Sequence, residues 1–62
     1  MPEKLLSPQD LAAYLGKPIQ SIYAMNHRGS APRRIRVGRD IRYRLSDVEA
    51  WLSANRVDDG AA

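Results

Sequence analysis

Ser7-Pro8-Gln9-Asp10-Leu11-Ala12-Ala13-Tyr14-Leu15-Gly16-Lys17-Pro18 reads as a helix stopped by a glycine, with a second helix starting two or three residues later. Ser7 is a capping residue and Pro8 suits the first helical position, where no amide hydrogen is needed. Asp10 favours the positive end of the helix dipole. Leu6 outside the helix and Leu11 inside it are spaced as a hydrophobic staple. Leu11, Ala12 and Leu15 make the buried stripe, and Gly16 can take the left-handed conformation that closes a helix. The second helix starts around Pro18 and runs to about Arg28. Helices joined by so tight a turn cannot lie side by side and must cross steeply, which is helix-turn-helix geometry.

Downstream, Gly29-Ser30-Ala31-Pro32 stops the second helix, and Arg34-Ile35-Arg36-Val37 and Ile41-Arg42-Tyr43-Arg44 alternate with period two. A two-residue turn at Gly38-Arg39 would pair Val37 with Asp40 and put Arg36 beside Ile41. A three-residue loop, Gly38-Arg39-Asp40, pairs Val37 with Ile41 and Ile35 with Tyr43. Only the second register separates an apolar face from a charged one, so it is the expected one. Ser46-Asp47-Val48-Glu49 has the form of a capping box opening a third helix to about Ala54 that buries Val48, Trp51 and Leu52. The expected fold is mostly α with a two-stranded β-hairpin: a winged helix-turn-helix in the order α-α-β-β-α. One domain spans residues 1–56, and residues 57–62 form a disordered tail.

A chain of 62 residues supports one small core of marginal stability. With no cysteine there is neither a disulfide nor a thiolate metal site, in keeping with a reducing cytoplasm. No apolar run approaches the roughly 20 residues that span a bilayer, and Met1–Leu6 is too short and polar for a signal peptide. The net charge of +3 is unevenly spread. From Arg28 to Arg44 there are seven arginines against one carboxylate, Asp40, a balance of +6, which leaves −3 for the rest. Such polarity is the footprint of a polyanion binder.

On a helical projection Ile22 and Met25 define the buried direction of the second helix, leaving Gln20, Tyr23, Ala24 and His27 opposite, with Arg28 on their flank. Those residue types suit a major groove. Gln20 can pair with adenine and Arg28 with guanine, or either with phosphate, and Ala24 permits close approach or a thymine-methyl contact. Tyr23 is placed to donate its hydroxyl to a phosphate, and Lys17 and Ser21 are candidate backbone contacts. In the expected hairpin register Arg36 faces Arg42 and Arg34 faces Arg44, like-charge pairs that a phosphate backbone would relieve. Arg39 at the loop tip is the candidate for a narrow minor groove. A lone His27 without cysteine or clustered carboxylates makes no metal site; it is at most a phosphate or base contact. No nucleophile–base spacing or phosphate-cradling glycine loop is present, so neither catalysis nor a cofactor is expected.

The run Leu5–Gly16, then Ser21-Ile22-Tyr23, Arg28-Gly29, Arg36-Val37-Gly38-Arg39, Ile41-Arg42-Tyr43-Arg44 and Ser46–Leu52, resembles in order and spacing the excisionases of phages and integrative elements and the AlpA-type regulators. These are small relatives of the MerR-like winged helix-turn-helix proteins. The resemblance implies binding to double-stranded DNA near attachment sites, often as several copies side by side, bending the DNA and steering an integrase toward excision. It also implies that the second helix enters the major groove and the Gly38-Arg39 hairpin touches the neighbouring minor groove. An AlpA-like transcriptional regulator would use the same fold. Where such proteins carry a small apolar residue and a serine cap, this chain has Lys17 and Pro18, which would leave Ile19 exposed for a protein contact. A reading from another class, a basic module gripping an acidic protein, predicts little affinity for duplex DNA and mutational sensitivity centred on Ile19.

Overall fold

The computed structural model describes residues 4–57, so all of the expected tail except Val57 lies outside the described residues. The elements are β1 (Leu5–Leu6), α1 (Pro8–Leu15), α2 (Ile19–Arg28), β2 (Ile35–Val37), β3 (Asp40–Arg44) and α3 (Leu45–Ala54). This is the winged helix-turn-helix arrangement with one strand added. Leu5 and Leu6 pair antiparallel with Arg44 and Tyr43, making a three-stranded sheet in the order β1-β3-β2.

The first turn of α1 is closed from both sides. Ser7 Oγ accepts from the Asp10 amide at 3.0 Å, and the Ser7 amide donates to Asp10 Oδ2 at 3.1 Å. This reciprocal pair satisfies two amides of the helix start. Those same bonds, first the backbone one and then the side-chain one, hold the Asp10 carboxyl below its usual range. At the other end Gly16 sits at φ 69°, and the Lys17 amide reaches back to the Ala12 carbonyl at 2.9 Å. Pro18 then caps α2 through its extended backbone, and the Ser21 amide donates to the Pro18 carbonyl at 3.0 Å.

Leu6, Leu11, Ala12, Ile22, Tyr43 and Val48 form the buried core, with Leu15, Ile19, Met25, Ile41 and Leu45 packed around it. Every element except β2 contributes at least one of the buried six. Ile19 therefore belongs to the rim of the core and is not the exposed protein contact expected of it.

Three further expectations need correction. The hairpin has the two-residue turn: Val37 pairs with Asp40, Arg36 with Ile41 and Ile35 with Arg42. Gly38 at φ 63° is the only residue of the turn with positive φ, as befits a two-residue hairpin loop that takes glycine first. The amphipathic criterion misled because β2 lies beyond the core: Arg36 and Val37 are both exposed, so no buried face dictates their alternation. Arg36 consequently does not face Arg42, nor does the β ladder bring Arg34 opposite Arg44. Second, α3 begins at Leu45 with Arg44 as its N-cap and no side-chain cap bond, so Ser46 stands inside the helix rather than at its cap. Starting α3 there lets Leu45 join the core directly after the strand. Third, Trp51 is half-buried and Leu52 is 39% exposed; of the three residues expected to be buried on α3, only Val48 is enclosed.

Candidate nucleic-acid interface

An α-helix can read a groove only if its outward side chains are free and its inward ones fixed. On α2, Ile22 is fully buried and Met25 and Ile19 pack against the core, which holds the helix to α1. Gln20, Tyr23, Ala24, His27 and Arg28 are all exposed, as is Lys17 just before the helix, whereas Ser21 is half-buried. Tyr23 leaves 55% of its surface to solvent, an uncommon amount for so large an aromatic ring, and its hydroxyl is free to donate.

The second part of the surface is the wing. Arg33, Arg34, Arg36, Arg39 and Arg44 are exposed, with Arg39 in the turn itself. Opposed guanidinium pairs across the ladder are absent, so the case for a polyanion rests on the excess of positive charge and its lack of internal neutralisation. Among the described residues the one ion pair is Arg42 Nη2 to Asp40 Oδ2 at 3.9 Å, with side chains 34% and 68% exposed. Arg42 is also held by its own strand, Nη1 donating to the Ile41 carbonyl at 2.8 Å. The described residues contain no group of three or more histidines, cysteines or carboxylates able to hold a metal.

Helix and wing are tied together by two residues with no place among the expected contacts. Tyr43 is fully buried on β3, and its hydroxyl meets the half-buried side-chain amide of Asn26 on α2, accepting from Nδ2 at 2.8 Å and donating to Oδ1 at 3.1 Å. The alternation of β3 marked Tyr43 as inward-facing, but no local pattern joins it to a residue so far back in the chain. A second tie comes from Trp51, whose indole nitrogen donates to the Ser30 carbonyl at 2.9 Å. The ring thus anchors the loop leaving α2, and it lines a shallow cavity of about 340 Å³ with Arg33, Asp47 and Ala50. A tryptophan at the edge of a core, with its N–H spent on a loop carbonyl, is a common compromise for this bulky amphipathic side chain.

The whole span from β1 past the end of α3, residues 5–56, matches a family model described as a helix-turn-helix domain. No curated protein matches the chain. No helix among the described residues is long and apolar enough to cross a membrane.

Proposed function

Because this chain belongs to the helix-turn-helix domain family, we propose that it binds double-stranded DNA, with α2 in the major groove and the β2–β3 wing against the adjacent minor groove. The observation that carries this reading is an exposed polar helix face and a basic hairpin held in fixed relation by the Asn26–Tyr43 pair. Gln20, Ala24, His27 and Arg28 are the base-facing candidates. Tyr23, Lys17 and Ser21 serve the backbone, and Arg34, Arg36, Arg42 and Arg44 supply phosphate contacts around Arg39, which enters the minor groove. The chain acts by binding and not by catalysis.

At the level of biology we propose an architectural factor in DNA excision, an excisionase or recombination directionality factor that binds near attachment sites, bends the duplex and directs an integrase. The resemblance to excisionases supports that role, and so does size. One module of this kind covers only about 600–1,000 Å² on DNA, so useful specificity calls for further copies on adjacent sites. An AlpA-like regulator shares the surface and would differ in the genes around its target. Selection of bound duplexes from a random pool at stated salt, followed by footprinting, tests the core of the proposal. A short shared motif with protection in one major groove and the next minor groove is expected. Indifference to duplex DNA at low ionic strength would overturn it in favour of a basic module for acidic protein partners.

A further inference from the structure

Asp40 is the single carboxylate among the seven arginines of the Arg28–Arg44 segment, and the fold sets it at the mouth of the wing turn. Side chains two apart on a strand share a face, so Asp40, Arg42 and Arg44 project to the same side of β3. Arg42 is the arginine this arrangement engages, half-buried and held by the Ile41 carbonyl and the Asp40 carboxylate. The other arginines of the segment are exposed and, among the described residues, without an ion pair. The turn gives no reason for an acid at this position. Asp40 has no positive φ, and the ion pair of its carboxylate among the described residues is with Arg42.

We infer that Asp40 is a specificity-determining residue, competing with DNA phosphate for Arg42 so that the wing grips non-cognate duplex less tightly. The inference rests on the DNA-binding reading above. An exposed ion pair at 3.9 Å is weak. A phosphate held in place by a correctly docked α2 meets Arg42 at high effective concentration and displaces the carboxylate. A phosphate in a loose, sliding complex does not, so the penalty falls mainly on random sequence. Building a repulsive group into a binding surface is a general route to discrimination.

The test measures binding of selected and scrambled duplexes across a salt series for the wild type, Asp40→Asn, Arg42→Gln and the double variant. Asp40→Asn is nearly isosteric at an exposed site, and an unchanged thermal melt verifies its fold. Expected is about fivefold tighter binding of the scrambled duplex by Asp40→Asn, with a smaller gain on the selected one. The log–log salt slope on the scrambled duplex becomes steeper by about one, the worth of one added phosphate contact. In the Arg42→Gln background Asp40→Asn brings no such gain. Equal gains on both duplexes, no gain, or a gain that survives Arg42→Gln would overturn the role of Asp40 while leaving DNA binding intact. Failure of all four proteins to bind any duplex would instead remove the DNA-binding reading and this inference with it.

Discussion

Tyr43 does two things at once: its ring fills the centre of the core, and its hydroxyl fixes α2 through Asn26. Tyr43→Phe keeps the ring and deletes only the polar tie. Loss of the paired hydrogen bonds to Asn26 should cost about 1–2 kcal/mol in urea unfolding, since the half-buried Asn26 amide can still reach water. If the tie sets the angle between helix and wing, specific DNA affinity should fall further than stability does, while non-specific affinity holds. Equal losses in both binding modes would reduce Tyr43 to a packing residue. Asp10 provides a second residue-scale test. Its carboxyl is lowered by its bonds to Ser7, so the stabilisation is present above the ordinary carboxylate range and is lost as pH falls through the lowered value. Melting temperature should therefore drop on acidification below about pH 4, with part of the drop missing in Asp10→Asn. Gln20 and Arg39 separate reading from gripping: Gln20→Ala should change the preferred sequence, whereas Arg39→Ala should weaken binding to every duplex. The outcome of selection repeated with each variant decides between these roles.

At the scale of elements, what could be read in the sequence was whatever a local rule controls. Ser7, Pro8, Gly16 and Gly29 punctuate α1 and α2 as expected because capping chemistry acts within a turn or two. The hairpin register departs from the amphipathic expectation because Gly38 at positive φ decides the turn and that criterion has no hold on a strand outside the core. β1 has no signature in the sequence because Leu5-Leu6 is too short to show a period; its identity comes from the β3 edge it completes. On α3 the helix starts two residues earlier than the Ser46 capping-box pattern predicts, which places Leu45 on the core. Gly38→Ala tests the turn directly. No heavy atom lies within 4 Å of the added methyl, so backbone strain is the main penalty, about 1–2 kcal/mol. Because the turn and the end of β2 stand away from the core, DNA binding should suffer more than the global unfolding transition. Amide exchange confined to residues 35–44 would locate the effect.

Across the whole molecule the charge is sorted: one stretch carries +6 and the remainder −3. That asymmetry is legible in the sequence, but the pairing state of each arginine is not, since only the fold shows that Asp40 engages Arg42 and leaves the rest without ion pairs among the described residues. If about five phosphates are neutralised, log Kd should vary with log salt with a slope of about 4 to 5. A slope near zero would mean that the basic surface stays in solvent. Cooperative occupation of repeated half-sites should show as a gel-shift ladder that skips the singly bound species; independent filling would refute the contribution of neighbouring copies. The β1 strand carries a consequence for how such a chain comes into being. Leu5 and Leu6 are synthesised before their partners Tyr43 and Arg44, with both of the first two helices and the turn of the wing made in between. Loop closure over that distance is slow compared with winding a helix, so the two short helices lack their sheet until the central strand β3 arrives to pair with β1 on one side and β2 on the other.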